Sequence, residues 1–176
     1  MAPSTVIRMI ERRDHLLMHR LHRWRAPRWI RIWMIAATRG GDGWLWCALA
    51  LVLLVFGGRQ GREATLEATV AAGTGVAVFL WLKRLTRRRR PCAIVPHCWS
   101  TLLPPDQFSF PSGHTITAFS VAAPVIHHFP AAGPGVLFCA LSVAASRVLL
   151  GMHFLSDVVA GAALGWSLGS LMRSLI

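Results

Sequence analysis

Leu45-Trp46-Cys47-Ala48-Leu49-Ala50-Leu51-Val52-Leu53-Leu54-Val55-Phe56 carries no charged side chain, and its apolar residues point around the whole circumference of a helix. A soluble domain of this size has too little interior to bury such an element on every side, so its natural solvent is a bilayer. Four more apolar segments follow, and with the first they run at about Trp44 to Phe56, Thr65 to Leu82, Thr115 to Phe129, Ala131 to Ser146 and Val158 to Met172. Each is shorter than the ~20 residues that cross a ~30 Å hydrocarbon core, so each helix is expected to run on into its polar flanks or to sit in a thinned bilayer. The expected fold is all-α, an integral membrane bundle of about five transmembrane helices. Its 176 residues leave room for one compact unit, whose site must be assembled from loops and helix ends.

Charge is segregated from this apolar mass. The chain is 54% hydrophobic yet has 19 Lys and Arg against 7 Asp and Glu, a formal charge of +12. A soluble nucleic-acid binder could carry that charge but would have nowhere to place the apolar blocks, so nucleic acid is set aside and anionic lipid is the expected partner. Residues 5 to 39 hold nine Arg interleaved with Leu17, Leu21, Trp24, Trp29, Ile32 and Trp33, and Pro27 interrupts them. This pattern predicts one or two amphipathic helices lying on the membrane, in preference to a solvated basic arm. Residues 1–43 are therefore read as a basic N-terminal segment and residues 44–176 as the membrane-embedded domain. The start of the chain lacks the continuous apolar core and small-residue cleavage site of a signal peptide. Eight Trp suit interfacial anchoring. The four Cys have no zinc spacing, and only Cys92 and Cys98 are placed to pair.

In the last segment Gly161, Gly165 and Gly169 recur every four residues on one helical face, a close-packing feature. Counting helices between polar clusters places Arg39 to Gly43, Lys83 to Pro91, His114 and the stretch Arg147 to Asp157 at one membrane face. That face gathers Lys83, Arg90, Arg147, His114, His153 and Asp157. Such a set fits phosphoryl transfer, where catalysis is mostly positioning and neutralisation of charge on the equatorial oxygens.

Within the set, Asp157 falls in the first turn of the last helix, four residues after His153. A carboxylate accepting one imidazole N–H leaves the other nitrogen to attack phosphorus, and Arg147 offers a fork to the phosphate. Ser112-Gly113-His114 stands at the start of an apolar helix, where free backbone N–H groups make an anion site, Ser112 adds a hydroxyl and His114 is placed to protonate a leaving oxygen. Lys83 is the single lysine of the chain and ends a helix.

These residues fall in three ordered blocks: Lys83-Arg84-Leu85-Thr86-Arg87-Arg88-Arg89-Arg90-Pro91, then Pro111-Ser112-Gly113-His114, then Ser146-Arg147 with His153 and Asp157. The chain resembles the type-2 phosphatidic acid phosphatase superfamily, which includes the vanadium haloperoxidases, through that family's K-x6-R-P, P-S-G-H and S-R-x5-H-x3-D blocks. The resemblance implies a lipid phosphatase with His153 as nucleophile, Asp157 as its orienter and His114 as general acid. It also implies a phosphate cradle of Lys83, Arg90, Ser112, Gly113 and Arg147, with neither metal nor other cofactor. A soluble vanadate-holding haloperoxidase does not fit so apolar a chain.

The expected substrate is a membrane lipid bearing a phosphate monoester or pyrophosphate: phosphatidate, phosphatidylglycerophosphate, or a polyprenyl phosphate or diphosphate. Two other readings stand beside it, a phosphotransferase passing phosphate to a lipid alcohol and a non-catalytic protein that binds anionic lipid. Arg39-Gly40-Gly41-Asp42-Gly43 reads as a turn in which Asp42 caps the first membrane helix, or as a headgroup contact or salt partner for the cradle. His127 and His128 fall at the opposite face as interfacial residues, and His97 receives no role. The excess of Arg on the site's side of the bundle places that side in the cytoplasm of a multi-pass cell-membrane protein, where Cys92 and Cys98 stay reduced. Oligomeric state is left open.

Overall fold

The computed structural model describes residues 5–94 and 107–176 of the chain. His97, Cys98, Pro104 and Pro105 lie outside the described residues. The described residues form eight α-helices, in order α1 (Thr5–Arg23), α2 (Arg28–Gly41), α3 (Trp44–Phe56), α4 (Gly58–Thr86), α5 (Pro91–Ile94), α6 (Gly113–His128), α7 (Gly133–Leu149) and α8 (Leu155–Leu175). Among the described residues the sole extended pairing is an isolated antiparallel bridge between Arg89 and Phe108. The all-α membrane architecture is as expected, and all five apolar segments are helices.

Their lengths divide them. α4, α8 and α7 with the 3-10 turn before it (Pro130–Leu149) are long and apolar enough to cross a membrane. α4 gains its length from polar flanks, as anticipated: its first turns continue through Arg59 and Glu63, which pair at 2.8 Å. α3 has only 13 residues, about 20 Å of helix, and meets α2 at a 60° bend. By length and composition the two together form a bent pair that is either a fourth, broken crossing or a re-entrant loop. α6, of 16 residues, is the central element, with Ile116, Ala118, Val121, Ala122 and Val125 all buried.

α8 packs directly on α6 through the glycine stripe. A Cβ on Gly165 would stand 2.3 Å from the carbonyl oxygen of Ile116, and one on Gly161 2.9 Å from that of Ser112, so a side chain there would hold the two backbones apart.

The basic N-terminal stretch forms two helices, separated by a break ending at Pro27. Both leave apolar side chains outward, including Met9, Leu16, Trp29 and Ile32. Both are also anchored inward. Met18 joins the main core, and Met34, Thr38 and Gly41 of α2 are buried where that helix lies against α7. The division at residue 43 falls in the two-residue break between α2 and α3.

At the end of the bundle far from Lys83, His128 donates from Nε2 to Glu67 at 2.9 Å, and Arg173 donates to His127 Nδ1 at 3.1 Å. His127 and His128 therefore stand away from the site, as the helix count requires. Cys47, Cys92 and Cys139 are free thiols.

Candidate active site

The last turn of α4, the first turn of α6, the last turn of α7 and the loop joining α7 to α8 meet at one end of the bundle. Between them lies a cavity of about 280 Å³ lined by Lys83, Arg90, Gly113, His114, Arg147 and His153, with Phe79, Thr117 and residues Gly41 to Gly43 on its rim. Six of the eight residues singled out from the sequence thus share one cavity. Ser112 and Asp157 stand behind it, both fully buried.

Local backbone geometry explains why a run of four arginines contributes selectively. Arg87 caps α4 in the left-handed region at φ 48, which ends the helix and releases the chain into an extended stretch. Side chains of extended backbone alternate between two sides. Arg87 and Arg89 are accordingly exposed, while Arg88 turns inward and Arg90 is only 2% exposed. Lys83, one turn from the end of α4, is buried with its ammonium 4.8 Å from the centre of the Phe79 ring.

His153 is held by a group that the sequence does not advertise. Its Nδ1 donates to the backbone carbonyl of Ser109 at 2.6 Å, whereas Asp157 Oδ2 is 3.8 Å away. A carbonyl oxygen only accepts, so Nδ1 carries the proton and Nε2 keeps its lone pair. Arg90 Nη1 approaches that Nε2 at 3.1 Å and also donates to the carbonyl of Met152 at 3.0 Å. Burial first, then the neighbouring Arg147 and Arg90, push the imidazole well below its ordinary value, which keeps the ring neutral and nucleophilic.

Asp157 braces the loop. It accepts the Phe154 backbone N–H at 2.8 Å and Arg88 Nη1 at 2.6 Å, and its own carbonyl accepts the Ser112 N–H at 3.2 Å. The third sequence block is thereby tied to the second. Arg88 also donates to Asp14 of α1 at 2.8 Å, and Asp14 accepts from the Ser156 hydroxyl, so the N-terminal helix is clamped to the start of α8. Arg147 donates to the Thr38 hydroxyl of α2 at 2.5 Å. Ser112 Oγ accepts the Thr115 hydroxyl at 2.9 Å, which places it beneath the cavity and not on its wall. Its chain position still opens α6 toward the cavity, with Gly113 at the first helical turn.

Asp14, Thr38, Arg88 and the Ser109 carbonyl were missed by sequence reasoning. For Arg88 the one available signal was a repeated charge, and for a carbonyl there is none.

The sequence profile of the PAP2 superfamily matches residues 64–176, well over half of the chain and all three blocks. The chain belongs to the PAP2 superfamily. This PAP2 protein is 34% identical over 146 residues to the decaprenylphosphoryl-5-phosphoribose phosphatase of Mycobacterium tuberculosis, a match covering 80% of each chain. It is 29% identical over 146 residues to the lipid A 1-phosphatase of Rhizobium etli, covering 72% of this chain and 62% of that one. Among solved structures, the transmembrane PAP2-type phosphatidylglycerolphosphate phosphatase of Bacillus subtilis superposes with a TM-score of 0.74 at 25% identity, covering 98% of this chain and 87% of that one. LpxE of Aquifex aeolicus shares the fold with a TM-score of 0.72, at 24% identity, over 90% of this chain and 93% of that one. The expectation of a membrane-embedded phosphoric ester hydrolase acting on lipid phosphates is borne out.

Proposed function

We propose that this PAP2 protein removes a terminal phosphate from a membrane lipid by double displacement at His153, without a metal. The observation that carries the reading is the fixed tautomer: the Ser109 carbonyl claims Nδ1, and Nε2 keeps its lone pair in a cavity lined by three cationic side chains. Nε2 attacks phosphorus, the bond to the lipid oxygen breaks, and His114 gives that oxygen a proton. Lys83, Arg90, Arg147 and the α6 N-terminus, with Gly113 leaving room for the approach, hold the equatorial oxygens as their charge redistributes. Water, deprotonated by His114, then attacks the phosphohistidine and releases inorganic phosphate with His153 restored.

The named substrates of the relatives differ in their lipid portion and share a phosphate group, so the reading commits to the phosphate and leaves the lipid open among glycerophospholipid and polyprenyl classes. An apolar groove beside the site supports a lipid substrate. Trp46, Leu49, Leu53, Ala68, Ala72 and Val121 line about 250 Å³ between α3, α4 and α6, and the groove meets the polar cavity at Gly43 and Thr117. We infer that the arginines of α1 and α2 bind anionic lipid, and the same excess of positive charge supports a site on the cytoplasmic side of the cell membrane. Labelling a single engineered cysteine near Pro104 with an impermeant reagent tests the sidedness, and labelling in intact cells would reverse it.

The test of mechanism is acid-quenched trapping of labelled phosphate on the protein. Wild type and His114→Ala should both trap label from an aryl phosphate, because its leaving group needs little protonation. His153→Ala should trap none. Equal trapping in wild type and His153→Ala removes His153 as nucleophile.

A further inference from the structure

Asp42 sits where electrostatics alone would not put it. Among the described residues every other charged side chain on the cavity wall is cationic, and a carboxylate there repels a phosphate. Capping does not account for it: the N-cap of α3 is Gly43, and no side chain caps that helix, while Asp42 ends α2. Its Oδ1 instead lies 2.6 Å from Nε2 of His114.

The surrounding glycines make that approach possible. A Cβ on Gly41 would fall 2.8 Å from Val143 and 3.3 Å from Cδ2 of His114, so a side chain at 41 would push the α2 terminus off the imidazole. Gly43 has φ +126, a conformation that other residues rarely adopt, and it turns the chain into α3 immediately after the carboxylate. Gly-Asp-Gly is thus built to lay one carboxylate against one histidine.

We propose that Asp42 is the positioning residue of the general acid: it takes the Nε2 proton of His114 in a hydrogen bond, leaving Nδ1 to serve the substrate, and it stabilises the imidazolium that delivers the proton. This rests on His114 acting as the acid. The cycle balances with Asp42 never changing protonation. The imidazolium gives its Nδ1 proton to the leaving lipid oxygen as the phosphorus–oxygen bond breaks, and neutral His114 recovers a proton from the water that cleaves the phosphohistidine. Among the described residues the other charges that line the cavity with His114 are Lys83 of α4, Arg90, and Arg147 of α7, all of which oppose an imidazolium. Asp42 is the carboxylate that favours it.

The experiment compares an alkyl lipid phosphate with p-nitrophenyl phosphate in detergent, using Asp42→Asn, Asp42→Ala, His114→Ala and the Asp42→Asn/His114→Ala double variant. General acid catalysis contributes about 10²–10⁴-fold where the leaving group is poor. Asp42→Asn should lower kcat for the lipid roughly 10- to 100-fold, a part of that contribution. Asp42→Ala should lower it further, and both should leave the first-turnover burst of p-nitrophenolate nearly unchanged, since that step needs no acid and the base role of His114 enters only when water cleaves the phosphohistidine. The alkaline limb of the kcat profile should move to lower pH in Asp42→Asn, and the double variant should be no slower than His114→Ala.

Equal losses in lipid turnover and in the aryl burst, or a loss confined to KM and additive with His114→Ala, would overturn the proposal in favour of a structural or substrate-contact role. Unselective loss in His114→Ala itself would remove the acid assignment and this inference with it. Selective loss in His114→Ala with Asp42→Asn at wild-type rates removes this inference alone.

Discussion

Gly165→Ala adds one methyl group at the tightest point of the α6–α8 contact. Its Cβ would stand 2.3 Å from the Ile116 carbonyl oxygen and 3.1 Å from both the carbonyl carbon and Cα of that residue. A carbon tolerates a carbonyl oxygen at about 3.3 Å, so the helices must part by about 1 Å. A gap of that size forfeits a quarter to a half of the dispersion energy of the atoms facing across it, and overpacking of this kind costs about 1–3 kcal/mol. A Cβ on Gly161 or Gly169 would stand 2.9 or 2.8 Å from a backbone oxygen of α6 or its N-cap, so the flanking contacts are already too close for a small tilt to relieve the strain. In a chain of this length 1 kcal/mol lowers the unfolding midpoint by about 2–4 °C.

Catalysis should suffer with stability. α6 carries His114 and α8 carries Asp157, and the Ser112 N–H bridges them at 3.2 Å. A misplacement of about 1 Å costs on the order of 10²-fold in rate. The assay is thermal unfolding in detergent alongside phosphate release at saturating substrate, with Gly73→Ala as control because a Cβ there meets nothing within 4 Å. Unchanged midpoint and kcat in Gly165→Ala, or equal losses in Gly73→Ala, would refute the reasoning.

Removing the Arg88 guanidinium leaves Asp157 and Asp14 buried without their shared cation; Arg88→Gln should destabilise by about 3–5 kcal/mol. Asp14→Asn in the same chain should recover part of that loss, which a double-mutant cycle on unfolding midpoints measures. Because buried His153 refuses a proton that the unfolded chain accepts near its ordinary value of about 6.5, its contribution to stability is fully present above that pH and is lost as pH falls toward the depressed folded value. The midpoint difference between wild type and His153→Gln should therefore shift against wild type between pH 7 and pH 5, and a flat difference would contradict a neutral buried ring. EDTA should leave phosphate release unchanged while vanadate inhibits it, since the three cations of the cradle supply the positive charge; restoration of an EDTA-treated sample by magnesium would count against the mechanism.

The membrane architecture was legible in the sequence because it follows from composition along the chain. Segments such as Trp44 to Phe56 are apolar on all sides, and no tertiary contact is needed to know that they avoid water. The convergence of Lys83, Arg90, His114, Arg147 and His153 was legible for a related reason: helices crossing a slab return each cluster to the same or the opposite face, so counting crossings is enough. The glycine stripe showed that something packs closely on α8. It did not show that the partner is the α6 backbone itself.

Tertiary structure decided how those side chains are held. His153 lies four residues from Asp157, yet Nδ1 turns to the Ser109 carbonyl, and a backbone oxygen is chemically the same at every position until the fold aims it. Arg87 to Arg90 are identical letters, and only the left-handed turn at Arg87 followed by extended backbone sends residues 88 and 90 inward. Asp42 read as a helix cap, or as a headgroup contact or salt partner for the cradle, and the bend between α2 and α3 carries its carboxylate onto His114. Thr38 and Asp14 belong to a segment whose arginines dominate any sequence reading, and their pairing with Arg147 and Arg88 depends on how α1 and α2 dock. Sequence by itself determined which motif side chains would share one end of the bundle, through hydropathy and chain connectivity; which further residues join them and which atom faces which was decided by distances of a few ångströms that only the packed helices set.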